Sequence, residues 1–123
     1  MSWNAHLTDD RGHNEGYWNY THNCNGMANA VLDPDYQQRS TAEEVFRFKD
    51  KTHVSWWKRL DGLSGPEGAA LLDRIIRSLE ADPERFRAMN PENGWGDYDS
   101  FVKLLTEMRD AVPEWPTTWS VNG

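Results

Sequence analysis

The segment SGPEGAALLDRIIRSLEAD, residues 64–82, constrains the fold most, because it carries both the start and the apolar face of an amphipathic helix. Ser64 and Glu67 have the spacing of a capping box, and Pro66 suits the first turn of a helix. The residues spaced for one face are Gly68, Leu72, Ile75, Ile76 and Leu79. Such a stripe must be buried against other elements, so the segment predicts a packed helical core.

Four more segments have helical apolar spacing and are bounded by proline or by capping residues. They lie near residues 24–32, 41–60, 82–89 and 97–112. The expected N-caps are Asn23, Ser40 or Thr41, Asp82, and Asp97 or Asp99. Helices therefore account for most of the predicted structure.

Two short aromatic and β-branched runs favour strands: GYWNYT near the start of the chain and TTWSV near its end. They are candidates to pair as a two-stranded antiparallel ribbon of the chain ends. The expected fold class is mainly α, a compact bundle of four to five short helices with this small ribbon. The 123 residues show no compositional break, which indicates a single domain over residues 1–123.

Composition limits the compartment and the cofactors. Seven tryptophans predict an aromatic core, and the single cysteine, Cys24, excludes an internal disulfide and is expected to be a packing residue. The N-terminal residues lack the pattern of a signal peptide, and no stretch is apolar enough to span a membrane, so a cytoplasmic protein is expected. The histidine and carboxylate spacings match no metal motif, so we expect neither a metal nor another cofactor.

Charge is uneven along the chain and narrows the classes of partner. Residues 1–40 carry 5 acids and 2 bases, residues 41–90 carry 9 of each, and residues 91–123 carry 6 acids and 2 bases. Long nucleic acids are disfavoured, because their binding relies on clustered Lys and Arg. A small anionic ligand or a host protein remains open as the partner, and so does the oligomeric state.

The segment WNYTHNCNGM, residues 18–27, is the best candidate site. A strand that runs into a helix here would place Thr21, His22, Asn23 and Asn25 around unpaired N–H groups of the helix N-terminus, which attract anions. The same residue types also cap helices and close turns, so a purely structural role stays open.

A second polar and aromatic segment, NPENGWGDY at residues 90–98, precedes the last predicted helix. Trp95 lies between two glycines, which leaves its indole either as a plug in the core or as an exposed stacking platform, and the core plug is the usual outcome for tryptophan. We expect this segment to lie beside residues 19–25 and to close a common cavity with them. Arg85 and Arg87 could then supply guanidinium groups to an anion.

These two segments resemble a family of small phage and bacterial proteins. In that family an Asn-Tyr-Thr-x-Asn segment precedes a short helix, and an Asn-Pro-x-Asn-Gly-Trp-Gly-x-Tyr loop precedes the last helix. The matching residues here are Asn19, Tyr20, Thr21, Asn23, Asn90, Pro91, Asn93, Gly94, Trp95, Gly96 and Tyr98. The resemblance covers about half of the chain and implies a phage origin, hence the host cytoplasm, while the C-terminal VPEWPTTWSVNG departs from the family pattern.

The leading hypothesis is a non-enzymatic anti-defence protein that sequesters a small anionic or nucleotide-like ligand, such as a host immune signal. The candidate ligand-binding residues are Asn19, Tyr20, Thr21, His22, Asn23, Asn25, Arg85, Arg87, Asn93, Trp95 and Tyr98. One alternative is an interaction protein that inhibits a host enzyme through an acidic, tryptophan-rich surface. Another is a small hydrolase or transferase with His22 as general base, although phosphate-loop, nucleophile-elbow and HExxH motifs are absent from the sequence.

Overall fold

The computed structural model describes residues 2–33 and 55–123, of which 50% are helical and 23% are in strands. The elements are β1 (Ser2–Asp9), β2 (Asn14–Thr21), a 3-10 turn (His22–Cys24), α1 (Asn25–Leu32), α2 (Trp56–Leu60), α3 (Gly65–Ala81), α4 (Pro83–Arg87), α5 (Tyr98–Asp110) and β3 (Thr117–Asn122). None of the helices in these two ranges has the length and apolar character that crossing a bilayer requires.

The predicted fold class is wrong: the described chain is an α+β protein with a three-stranded antiparallel sheet. Both predicted strand segments do form strands, but they do not pair with each other, because β1 lies between them in the order β2-β1-β3. The missed strand, SWNAHLTD, has the period of two that marks a half-buried strand. Trp3, Ala5 and Leu7 are fully buried, and the residues between them are polar.

Tryptophan rings join the inner face of the sheet to the helices. Trp3 of β1 meets Trp56 of α2 edge to face with ring centroids 5.2 Å apart, and Trp56 meets Phe101 of α5 at 5.9 Å. Trp18 and Trp119 come from the two outer strands, and their ring centroids lie 5.6 Å apart on the inner side of β1. Such aromatic pairs contribute beyond the area they bury, and they form the aromatic core that the composition predicts.

The helix predictions succeed where local signals are strong. Ser64 and Glu67 form the predicted capping box of α3, and all five residues of its predicted apolar face are buried. Asp97 caps α5, and Ser100 completes its box. Asp82 is at the predicted N-cap position of α4, although its side chain makes no capping hydrogen bond. The predicted cap Asn23 is wrong, because Thr21 caps the turn before α1. Of the predicted helix 41–60, residues 41–54 lie outside the described residues.

Gly68→Ala is expected to lower the free energy of unfolding by about 1–3 kcal/mol, the usual cost of overpacking. A Cβ at this position would overlap the Trp119 indole and approach the side chain of Leu60. At an exposed helical position the same change would add about 1 kcal/mol of stability.

Denaturant unfolding followed by circular dichroism measures the effect of Gly68→Ala. The matched control is Ala70→Gly at an exposed position of the same helix, which is expected to cost about 1 kcal/mol through helix propensity alone. A Gly68→Ala variant more stable than the parent would contradict the close packing of Trp119 on α3.

Candidate functional site

The two polar and aromatic segments lie side by side, as the sequence led us to expect. The side-chain amide of Asn23 donates to Oδ1 of Asn93 and to the backbone oxygen of Trp95, each at 3.2 Å. The Tyr20 hydroxyl lies 2.7 Å from Oγ of Ser100, the residue that completes the cap of α5. The junction between β2 and α1 therefore holds the loop that precedes α5.

Glycine permits this close approach. Gly96 has a φ of 85°, in the left-handed region that favours glycine. A Cβ at Gly96 would come within 2.8 Å of both the Thr21 methyl carbon and the Tyr20 hydroxyl oxygen. Gly94 also has a positive φ, of 75°. The loop thus rests with its backbone against the junction.

The exposed polar side chains of the junction bind neighbouring parts of the same chain. Oγ1 of Thr21 accepts from the backbone N–H of Asn23 at 3.2 Å, which is a capping role. The side-chain amide of Asn19 donates to Oδ1 of Asn4 at 2.7 Å and to Oγ of Ser2 at 3.1 Å. Hydrogen bonds within the fold therefore occupy groups that the sequence suggested for a ligand.

His22 and Asn25 belong to a buried network with Trp56. Oδ1 of Asn25 accepts from the Trp56 indole N–H at 2.9 Å, so the group that Asn25 turns toward His22 is its NH₂. Nδ1 of His22, 2.8 Å away, must then accept, which places the ring proton on Nε2. Burial lowers the pKa of His22 and favours this neutral form. The partner of Nδ1 is an amide, whereas a general base is usually oriented by a carboxylate.

Asn29 extends this network one helical turn further and was missed by the sequence prediction. Its Oδ1 accepts from the backbone N–H of Trp56 at 2.8 Å and from Oγ of Ser55 at 3.3 Å. Asn25 and Asn29 are four residues apart on α1, so both face α2. The sequence signal that could have indicated this network was two asparagines four residues apart among the apolar residues of a predicted helix.

The two remaining nucleophilic groups at the junction are held neutral. Burial raises the pKa of the Tyr20 hydroxyl to about 12 and that of the Cys24 thiol to about 11. A thiol with so high a pKa is a poor nucleophile, which supports the packing role expected for Cys24. Across residues 2–33 and 55–123, no group of three His, Cys, Asp or Glu side chains could hold a metal ion.

The candidate residues around α4 are also engaged within the protein. Arg87 pairs with Asp99 at 3.1 Å and with Glu84 at 3.5 Å, and its guanidinium lies over the ring of Tyr98. Tyr98 is buried and donates its hydroxyl to the backbone oxygen of Leu79 at 2.9 Å, so its ring is not a stacking platform. The guanidinium of Arg85 lies 4.9 Å from the centre of the Phe86 ring.

Trp95 differs from the other candidate aromatic residues, because it is 71% exposed and does not plug the core. Its backbone is nevertheless well held: Oδ1 of Asn93 accepts from the Trp95 N–H at 2.9 Å, and Asn23 donates to its carbonyl. Farther along the loop, Oδ1 of Asn90 accepts from the N–H of Tyr98 at 2.8 Å. The loop therefore presents a large apolar ring to solvent on an anchored backbone.

His22→Gln is expected to reduce the loss in free energy of unfolding that the parent protein shows as the pH falls from neutral into the acid range. The pKa of His22 is lowered in the folded state, so between that value and its ordinary value near 6.5 the unfolded chain binds more protons. Stability is then fully present above about pH 6.5 and falls as the pH drops through this window, by about 1.4 kcal/mol for each unit of pKa difference.

Chemical denaturation of both proteins at a series of pH values between 7.5 and 5 tests this expectation. The difference between parent and His22→Gln isolates His22 from the other histidines. Parallel profiles for the parent and His22→Gln would show that His22 titrates normally and would contradict the buried network.

Comparison with known proteins identifies no relative of this chain. No family model, no curated protein sequence and no solved structure matches the chain. The geometry of the described residues is therefore the guide to function. The most informative side chains are those that are exposed and not engaged in hydrogen bonds within the fold.

Proposed function

We propose that the chain is a non-enzymatic protein-binding module that inserts Trp95 into an apolar pocket of a partner protein. The observation that carries this proposal is the 71% exposure of Trp95 on a loop with an anchored backbone. Tryptophan is enriched among the residues that dominate binding energy in interfaces, and an ordered loop loses little entropy on binding.

The surroundings of Trp95 favour a basic partner. Residues 90–99 contain three carboxylates, Glu92, Asp97 and Asp99, and no lysine or arginine. The neighbouring Arg87 already pairs with Asp99 and Glu84. A pocket rimmed by lysine or arginine would complement this surface and would associate faster at low salt.

The same geometry gives less support to sequestration of a small anion. The amide and hydroxyl groups at residues 19–25 hydrogen-bond to the fold, and Arg87 is compensated by two carboxylates. Binding an anion there would require breaking contacts that already exist. A catalytic role for His22 is disfavoured in the same way, because its Nδ1 is engaged by the amide of Asn25 in the buried network.

The resemblance to a phage family bears on the class of partner. Under that resemblance the target is a host molecule, and the exposure of Trp95 favours a host protein, which is the interaction-protein alternative drawn from the sequence. Trp95 and Tyr98 both match the family loop. Trp95 is 71% exposed, whereas Tyr98 is only 5% exposed. The proposed contact residue is therefore Trp95 alone among the aromatic residues of that loop.

Trp95→Ala is expected to weaken partner binding by about 2–4 kcal/mol, the range of an interface hot spot, while leaving the fold intact. The matched control is Trp115→Ala, which removes an indole that is also half-exposed but lies near Glu15, at the opposite end of β2 from the Trp95 loop. The assay is quantitative affinity capture from the source cells with both variants and the parent, followed by calorimetry with the purified partner.

A supporting result is one protein that parent and Trp115→Ala capture equally and that Trp95→Ala captures at least ten-fold less. Equal capture by Trp95→Ala would contradict the proposal. So would nanomolar binding of a nucleotide to the purified protein that survives Trp95→Ala, because that result would favour the small-ligand hypothesis. Unchanged thermal unfolding of Trp95→Ala confirms that the comparison reports binding rather than folding.

A further inference from the structure

Three asparagines of the chain are directly followed by glycine: Asn25, Asn93 and Asn122. An asparagine before glycine is prone to spontaneous deamidation, because glycine has no Cβ to shield its backbone nitrogen. In this reaction the glycine nitrogen attacks Cγ of the asparagine, which requires a fold that lets these two atoms meet. The structure places the three pairs in different surroundings, so their reactivities should differ.

The pair Asn93-Gly94 is exposed in the Trp95 loop and is folded toward this reaction. Oδ1 of Asn93 accepts a hydrogen bond from the backbone N–H of Trp95 at 2.9 Å. The ring closed by this hydrogen bond contains Cγ, Cβ, Cα and the carbonyl carbon of Asn93 and the nitrogen of Gly94. These are all the ring atoms of the cyclic imide that deamidation forms. The hydrogen bond therefore folds the side chain back over the nitrogen that attacks it.

Two donors also prepare Cγ of Asn93 for attack. Besides the N–H of Trp95, the side-chain amide of Asn23 donates to Oδ1 at 3.2 Å. Negative charge builds up on this oxygen as a nitrogen adds to Cγ, and donors already in place stabilise that charge. The attacking N–H of Gly94 donates to the backbone oxygen of Pro91 at 3.5 Å, which is longer than an ordinary N–H···O bond. Little is lost when this N–H gives up its proton.

The other two pairs are held in arrangements that oppose the reaction. Asn25 is fully buried at the start of α1, whose helical backbone is fixed. Its side-chain oxygen and nitrogen are bonded to Trp56 and His22, respectively. Asn122 ends β3, so its backbone is extended. A Cβ at Gly123 would come within 2.8 Å of the His22 ring, so the backbone that would have to move there is closely packed.

We propose that Asn93 is a modification site that deamidates spontaneously in the folded protein. The bond from the Gly94 nitrogen to Cγ of Asn93 forms, and the bond from Cγ to Nδ2 breaks. The Gly94 proton leaves with the side-chain NH₂ group as ammonia. Water then opens the imide at one of its two carbonyl groups, which gives either aspartate or isoaspartate at position 93.

The two products affect the Trp95 loop differently. Aspartate keeps the backbone and an oxygen that accepts from the N–H of Trp95. Isoaspartate routes the main chain through Cβ and so inserts one more carbon atom before Gly94. The acceptor shared by Trp95 and Asn23 then moves, and the hydrogen bonds that anchor Trp95 are lost. The isoaspartate form should therefore bind the partner more weakly, a consequence that rests on the proposed function.

Incubation of the folded protein at pH 7.4 and 37 °C, followed by peptide mass spectrometry, tests the modification itself. Asn93 is expected to convert at least ten-fold faster than Asn25 and Asn122, with aspartate and isoaspartate as products. In denaturant the rates at Asn25 and Asn93 should become similar, because both residues precede glycine. Asn93→Gln should abolish conversion in the loop and leave the other two sites unchanged, and Asn93→Asp supplies the standard for the aspartate product.

A folded protein in which Asn93 converts no faster than Asn25 would overturn the proposal. These rates are measured without a partner, so they stand or fall independently of the proposed function. The isoaspartate fraction, separated by chromatography, is then compared with unconverted protein and with Trp95→Ala in partner capture. Capture reduced at least ten-fold, with unchanged thermal unfolding, supports the release of Trp95. Full capture by the isoaspartate fraction, where Trp95→Ala has lost capture, would contradict that release.

Discussion

The central position of β1 is the constraint on which the rest of the described structure depends. β2 and β3 do not pair with each other, and each pairs with β1, over registers that run from Ser2↔Thr21 and from Asn4↔Asn122. Thr118 of β3 also forms an isolated β-bridge with Ser64. A strand buried on one face must supply apolar residues at every second position, as Trp3, Ala5 and Leu7 do. β1, Ser2–Asp9, thus joins β2 to β3 and supports one wall of the core.

Buried amides perform the equivalent task between helices. Asn25 and Asn29 on α1 accept from the indole and backbone N–H groups of Trp56 and fix the start of α2. A buried polar group is tolerated only when it is hydrogen-bonded, so this contact specifies one orientation of α1 against α2. The arrangement explains why Asn25 and Asn29 lie in the interior.

Two surfaces of different chemistry remain after the fold has satisfied its own groups. The Trp95 loop combines an exposed indole with carboxylates, whereas the outward sheet face combines amides and hydroxyls with the ring of Tyr17 and the carboxylate of Glu15. The carboxylates beside Trp95 are the reason for which we propose a basic partner protein for that loop.

The sequence by itself determined the elements whose signals are local. The capping box at Ser64 and the apolar stripe of α3, and the cap at Asp97, depend on residues three or four positions apart, so their positions could be predicted. The adjacency of the two polar segments was also anticipated from their shared character. Only the tertiary structure decided the strand order of the sheet, because β1 pairs with residues more than 100 positions away in β3. It also decided which candidate site residues are buried and which are exposed. Burial of His22 and exposure of Trp95 likewise depend on which distant elements cover each side chain, and residue type and spacing do not encode that.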